Sequence, residues 1–363
     1  MGDDDSMTFN DVLEIKNGKN QKAVENPKGT YPIYGSGGVM GYADEYICKA
    51  DTIVIGRKGS INNPIYVDEP FWNVDTAFGL EAKEDVLKPH YLYYFCKKFD
   101  FERLNKAVTI PSLTKSDLLK IEINLPDLDE QQGIIDKLMK IEKIIQYRKD
   151  ELSSLDELIK ARFVELFGDP RSNPFGFEKK MLKDTCKVIT GNTPSRAIAE
   201  YYGDYIEWIK TDNIVSGILN PTQATESLSE KGMNVGRTVE RDSILMVCIA
   251  GSIASIGRVC ITDRTVAFNQ QINAVVPEQY NILFLYVLLQ MSKDYLVEDI
   301  NMALKGILSK SKLEEKEFII PPMDLQEQFF DFVKQVDKSK AVIEKELKKT
   351  QLLFDSLMQK YFG

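Results

Sequence analysis

The chain repeats itself at a fixed distance, and few folds permit that. Pro126-Asp127-Leu128-Asp129-Glu130-Gln131 recurs as Pro321-Pro322-Met323-Asp324-Leu325-Gln326, an offset of 195. The same offset then holds without a slip through two heptad stretches. The first sets Ile134, Leu138, Ile141, Ile145, Arg148, Leu152, Leu155, Ile159, Arg162 and Leu166 at alternating steps of four and three. Adding 195 gives Phe329, Val333, Val336, Lys340, Ile343, Leu347, Thr350, Phe354, Leu357 and Tyr361. Such spacing puts one largely apolar seam on a helix with a charged outer face, and a helix of that kind needs a partner along its length.

Residues 129–167 therefore predict one helix of about 58 Å at 1.5 Å per residue. Gly168-Asp169-Pro170 stops it, with glycine past the end and proline beyond. Residues 324–362 predict its equal. The nearest available partner for each is the other, and the intervening globule gives the chain room to return antiparallel. Arg148, Arg162, Lys340 and Thr350 on the seam fit a two-stranded coil with polar register pins better than a dry bundle core. The alternative, two helices in separate bundles, stays open at this point.

A mixed domain precedes each helix, at residues 7–128 and 169–323, so the fold class is α+β with a pseudo-two-fold repeat. Thr52-Ile53-Val54-Ile55 and Pro64-Ile65-Tyr66-Val67 have strand character around a Gly59 turn. Pro89 to Phe101 suits a helix with Tyr91, Leu92, Phe95 and Phe99 on one face. In the second domain Asp242-Ser243-Ile244-Leu245 mirrors Asp51-Thr52-Ile53-Val54, Gly251-Ser252-Ile253 mirrors Gly59-Ser60-Ile61, and Asn281 to Ser292 mirrors the helix. Near the domain starts the offset is smaller, as the pairing of Gly18 with Gly191 shows. The second domain must hold an insertion, expected around residues 197–235. Spacer helices 129–168 and 324–363 of equal length thus join domains of unequal length.

Composition narrows the function. No run of about 18 apolar residues exists to cross a membrane. The acidic leader before Met7 lacks the basic start of a secretory signal; it has the character of an expression scar and is left out of the fold. Five cysteines without Cys-x-x-Cys spacing and a single histidine, His90, give a zinc site almost no ligands, and suit reduced thiols in a cytoplasmic protein. The net charge of −9 is awkward for a stand-alone DNA binder. Residues 7–128 carry 15 Lys+Arg against 17 Asp+Glu, and residues 169–323 carry 17 against 19. If such a chain binds DNA, partner subunits must supply much of the phosphate neutralisation.

The motifs point away from catalysis. Asn63-Pro64-Ile65-Tyr66 lacks the second proline of the adenine-methyltransferase tetrapeptide, and no glycine-rich nucleotide loop follows a strand. Gly35-Ser36-Gly37-Gly38-Val39-Met40-Gly41 fits no phosphate-loop spacing and is better taken as a turn that lets backbone approach a partner. With no metal spacing and no nucleophile elbow, the expectation is a chain without catalytic residues, metal or cofactor. The polar turns are more informative. The loop Gly56–Asn63 carries Arg57, Lys58, Ser60, Asn62 and Asn63. Asn269-Gln270-Gln271 sets three amides where the first domain has Asn73-Val74-Asp75, and Thr193, Ser195 and Arg196 share another turn. Arginine and amide side chains can bind base edges at two points. These residues, with Gly37, Lys210, Asn213, Ser252 and Arg258, are the candidate DNA contacts.

Taken together, Tyr31-Pro32-Ile33-Tyr34-Gly35-Ser36-Gly37-Gly38, Trp208-Ile209-Lys210-Thr211-Asp212-Asn213-Ile214, Phe268-Asn269-Gln270-Gln271-Ile272, both proline-started helices and Ala161–Pro170 resemble the DNA-specificity subunit of type I restriction-modification enzymes. The resemblance runs from Met7 to Gly363. It implies two target-recognition domains, each reading half of a split sequence in double-stranded DNA, and two antiparallel coiled-coil helices that set the gap. It implies a subunit without activity of its own, bound by two methyltransferase subunits that modify adenine, with restriction subunits able to join. It does not give the target, because these domains are the family's variable part. The rival readings are a coiled-coil adaptor that binds proteins and no DNA, and the recognition subunit of a methylation-only system.

Overall fold

The structure is a computed structural model that describes residues 6–105, 110–300 and 306–363; the leader Met1–Asp5 lies outside them. The chain forms two compact units. One runs to Asp150 and takes in Glu344–Gly363, and the other is Glu151–Ile343. Each unit thus holds one globule and a stretch of both long helices, Leu128–Phe167 and Met323–Phe362.

In the first unit a four-stranded antiparallel sheet has the order Leu13–Asn17, Ala77–Ala82, Thr52–Gly56, Ile65–Val67. Thr52–Gly56 is buried along its whole length because both faces of the sheet are covered. Ile53 and Ile55 point to a core shared with the helix Pro89–Lys98 and the long helices. Val54 points the other way, to Ile33, Phe71 and Trp72 under a three-stranded sheet, Gly38–Ala43, Tyr31–Gly35, Trp72–Asn73. This alternation is the period-two signature of a strand covered on both sides.

The second unit repeats the plan. Its four-stranded sheet runs Cys186–Thr190, Ile272–Pro277, Ile244–Val247, Val259–Ile261. Ile244 and Met246 face the helix side, while Leu245 and Val247 face Ile209 and Phe268. Backbone registers make the equivalence residue by residue. Ile33 lies opposite Trp72 in a parallel pair, as Trp208 lies opposite Ala267. Ile53 lies opposite Leu80 and Tyr66, as Ile244 lies opposite Val275 and Ile261. Asp51 and Asp242, which stand just before the equivalent strands, both sit at positive φ, 58° and 62°. Aspartate tolerates that left-handed conformation better than most residues.

These registers place the insertion in three pieces rather than within 197–235 alone. The step from Gly18 to Ile33 is matched by a slightly longer one from Gly191 to Trp208. The step from Ile33 to Ile53 is matched by a far longer one from Trp208 to Ile244, and that from Ile53 to Tyr66 by a moderately longer one from Ile244 to Ile261. The largest piece carries the helix Glu230–Val235 and Thr238–Val239, and the latter with Tyr202–Gly203 widens the second sheet to five strands, while Ser227–Leu228 pairs with Ile206–Ile209 as Gly38–Ala43 pairs with Tyr31–Gly35.

The repeated proline motif has a physical reason in its last residue. Gln131 and Gln326 are both buried. Gln131 accepts a bond from the Lys88 N–H at 2.9 Å and donates to the Pro126 carbonyl at 2.9 Å. Gln326 accepts from the Asn281 N–H at 2.9 Å and donates to the Pro321 carbonyl at 2.8 Å. One amide therefore ties the start of each long helix to the start of the short helix of its own globule, using orphan groups that helix ends leave.

Within each unit the helix stretches pair antiparallel. In the first, Ile134, Leu138 and Ile145 share a core with Phe354 and Met358. In the second, Phe163 meets Phe329 edge to face, ring centroids 5.6 Å apart, and Lys340 bridges to Asp156 at 2.7 Å. Of the four polar seam residues only Lys340 makes an ion pair across the helices among the described contacts. Arg162 pairs with Glu165 of its own helix, and Thr350 bonds back to the Glu346 carbonyl. The buried Nε atoms of Arg148 and Arg162 have no hydrogen-bond partner among the described residues.

Candidate nucleic-acid interface

In the first unit the candidates collect where Tyr31–Gly35 and Thr52–Gly56 end. The Arg57 N–H donates to the Thr76 carbonyl at 2.8 Å, the Leu113 N–H to the Arg57 carbonyl at 2.9 Å, and the Gly59 N–H to the Pro111 carbonyl at 3.1 Å. These bonds fix the loop backbone and leave the side chains of Arg57, Lys58, Ser60 and Asn63 at least partly open to solvent. The Arg57 guanidinium lies over the Phe78 ring, 5.6 Å from its centre. Gly37 is at the exposed tip of the hairpin turn, and a Cβ on Gly56 would lie 3.0 Å from Ser36, so the turn and the loop adjoin. Asn62 is spent on structure. Its amide donates to Asp100 at 2.9 Å and accepts from the Phe101 N–H at 2.7 Å, closing the start of the helical turn Phe101–Leu104.

The second unit builds the same edge. Gly18 and Gly191 cross equivalent carbonyls, and a Cβ would come within 1.8 Å of the Val74 oxygen and 2.1 Å of the Asn269 oxygen, so only glycine fits. The Cys248 N–H donates to the Gln271 carbonyl at 2.8 Å, as Arg57 does to Thr76. Ile249–Ala250 pairs with Gly306–Ile307, as Lys58 bridges to Ser112. Asn269-Gln270-Gln271 therefore matches Val74-Asp75-Thr76, one place along from the expected Asn73-Val74-Asp75. Ala250 matches Gly59, and the loop that follows, with Ser252, is the longer of the two.

The amides in this unit are unequally available. Asn269 is buried, accepts from the Gln271 N–H at 3.1 Å and donates to the Gln271 side chain at 3.2 Å. Asn213, also buried, accepts from the Lys210 N–H at 3.0 Å and donates to Thr222 and the Gln223 carbonyl. Gln270 is exposed and takes the Thr193 hydroxyl. Ser195 is exposed, and Ser252 bonds to Ser255 at 3.0 Å. Arg258 donates to the carbonyls of Ser255 and Thr211 at 3.3 and 3.1 Å, holding two loops together.

One residue escaped the sequence reading. Glu226 receives Arg196 at 2.7 Å on one carboxylate oxygen and Lys210 at 2.8 Å on the other. The two bonds, Lys210 first, hold its carboxyl below the ordinary range. The Arg196 guanidinium lies 4.4 Å from the Tyr202 ring centre and 5.1 Å from that of Trp208. Tyr202 donates to the Pro194 carbonyl at 2.6 Å and Trp208 to the Asn192 carbonyl at 3.2 Å, so the aromatic floor is fixed to the turn that carries Arg196. Glu226 pairs with Trp208 as Gly41 pairs with Ile33, so comparison of the two repeats sets only a glycine beside it. The matching strand position of Lys210 is Gly35.

A family profile described as type I restriction modification DNA specificity domain matches residues 2–156 and again 174–352. The chain belongs to the type I restriction-modification DNA-specificity family. The HindI specificity subunit of Haemophilus influenzae is 30% identical, with 69% of this chain and 71% of that one aligned. The MjaIX specificity subunit of Methanocaldococcus jannaschii is 24% identical over 84% of this chain and 74% of its own. The fold agrees as well. The S subunit of a type I restriction-modification system from M. genitalium superposes with a TM-score of 0.62 at 18% identity, covering 99% of this chain and 96% of that one. DNA sequence recognition is the role this membership assigns, and a DNA-free coiled-coil adaptor is not favoured. Among the described residues no helix is long and apolar enough to cross a membrane.

Proposed function

We propose that this chain is the non-catalytic, cytoplasmic reading subunit of a type I system, and that it directs two methyltransferase subunits and, where present, restriction subunits to a bipartite DNA target. Residues 7–128 and 169–323 act as its two target-recognition domains, and helices 129–168 and 324–363 act as the spacer. The observation that carries this reading is the edge built twice from equivalent backbone bonds with different side chains. A shared frame presents Arg57, Lys58, Ser60 and Asn63 in one unit and Thr193, Ser195, Arg196, Lys210 and Gln270 in the other. Equal frames with unequal side chains suit two readers of two different half-sites.

Two methyltransferase subunits need two like surfaces. Tyr147 and Val342, equivalent in the helix repeat, are 59% and 64% exposed, and Leu158 and Leu353, equivalent in the same way, are 46% and 52% exposed. Large apolar side chains left in water at matching places on both helices suit repeated docking of one kind of partner. Such partners also supply the phosphate-neutralising charge that a chain of net −9 lacks. Methylation mapping in a host that expresses the chain with its methyltransferase tests the reading. A two-part adenine motif is expected, and exchange of residues 7–128 for another domain of the family should alter one half only. A continuous motif, or both halves altered, would refute it.

A further inference from the structure

The Arg196–Lys210–Glu226 cluster has the form of an anion site already filled. Two cations from separate elements converge on one carboxylate, each on its own oxygen, at 2.7 and 2.8 Å. The guanidinium is held against a fixed aromatic floor, so its orientation does not depend on the glutamate alone. The cluster is also open to water, with the Arg196, Lys210 and Glu226 side chains 56%, 28% and 37% exposed. Exposed ion pairs add little to stability, so a second anion can exchange with the glutamate at small cost. Thr193 sits on the same turn as Arg196 and bonds Gln270, so the cluster lies on the edge proposed above to read DNA.

We propose that Arg196 and Lys210 form a clamp for one phosphodiester group of the DNA, and that Glu226 fills it in the free chain as an internal counter-ion. The proposal rests on the DNA-reading function above. A phosphodiester offers two non-bridging oxygens side by side, as a carboxylate does, so it can take both cations in the same way. Phosphate contacts position a protein and carry no sequence information of their own. Glu226 thus penalises every DNA equally, and only a half-site that brings the remaining contacts into place offsets the penalty. The first domain, with Gly35 in place of Lys210, has no equivalent, so the device belongs to the second half-site.

The test is a salt series of binding by the full chain, alone and assembled with its methyltransferase, to the mapped target duplex and to a scrambled duplex of equal length. Glu226→Gln keeps the shape and removes the charge. It should tighten both duplexes by up to about fivefold and steepen the slope of log affinity against log salt by up to about 0.9, the value of one further phosphate. Arg196→Gln should weaken both duplexes alike, and adding Glu226→Gln to it should recover less than the single change gains. Glu226→Ala, checked for an unchanged melting temperature, should behave as Glu226→Gln does. Weaker or unchanged binding by both Glu226 variants would overturn the clamp, as would a methylated motif altered at one base, which would make Glu226 a base reader. If the parent chain itself bound neither duplex, the DNA-reading function would fall first, and the parent curve alone would reveal it.

Discussion

Gln131 and Gln326 each act through a single amide as a joint. Replacing Gln131 by leucine would leave the Lys88 N–H and the Pro126 and Val86 carbonyls without these bonds in a partly buried place. Each orphaned group costs about 1–3 kcal/mol, so Gln131→Leu should lower unfolding free energy by several kcal/mol in a urea titration, and Gln326→Leu should do much the same. A loss below about 0.5 kcal/mol, the range of ordinary surface changes, would mean the bonds are incidental. The cysteines make a second prediction at this scale. Burial pushes the thiols of Cys48, Cys186, Cys248 and Cys260 up to about 12, and that of fully buried Cys96 up as well. A thiol whose pKa is raised by folding holds its proton more tightly when folded. The associated stability is fully present below the unfolded value of about 8.5 and is lost as pH rises from there towards 12. The denaturation midpoint should therefore be unaffected by the thiols between pH 7 and 8 and fall by pH 10, with thiol labelling slow until the chain unfolds. Fast labelling of the folded chain at pH 8 would contradict this.

At the level of elements, the helices were legible because a seam of steps of four and three is a direct geometric consequence of helical pitch. The globule strands were legible at Thr52–Ile55 and Ser243–Leu245 because β-branched and apolar residues follow a turn-forming aspartate in both. What the sequence could not display was register. The match of Asn269–Gln271 to Val74–Thr76 rests on which carbonyl each N–H meets, and a shift of one place leaves composition unchanged. Nor could it separate amides that read from amides that brace. Asn62 and Asn213 lie in polar loops like Asn63 and Gln270, yet each has both ends of its amide engaged inside the fold. Glu226 was invisible for a related reason, since its two cations come from segments well before it in the chain and meet it only once the sheet is built. The seam supplies the prediction here. Arg148 stands on a largely apolar seam with its buried Nε lacking a hydrogen-bond partner among the described residues, and an unsatisfied buried donor costs about 1–3 kcal/mol. Arg148→Leu should raise stability by about 1 kcal/mol, read as a higher melting temperature, because packing replaces an incomplete polar contact. A lower melting temperature would show that the arginine fixes register at no net cost.

For the molecule as a whole, the constancy of the repeat offset through both long helices and its drift within the globules have one explanation under the proposed function. The length between readers is shared by both half-sites and cannot vary in one helix alone, whereas each reader can change its loops freely. Adding one heptad after Asp150 and one after Lys345, equivalent positions of the repeat, keeps both seams in phase and lengthens each helix by about 10.5 Å. Base pairs rise about 3.4 Å along DNA, so the unread gap in the methylated motif should widen by no more than about three base pairs while both half-sites stay the same. The same heptad in only one helix would slide its apolar seam past that of its partner. The Lys340–Asp156 bridge and the edge-to-face Phe163–Phe329 contact would then no longer form together with the Phe354 core. Methylation should persist with a wider gap in the double insertion and fail in either single one. A double insertion that left the gap unchanged would separate the helices from the measuring role, whatever the two domains read.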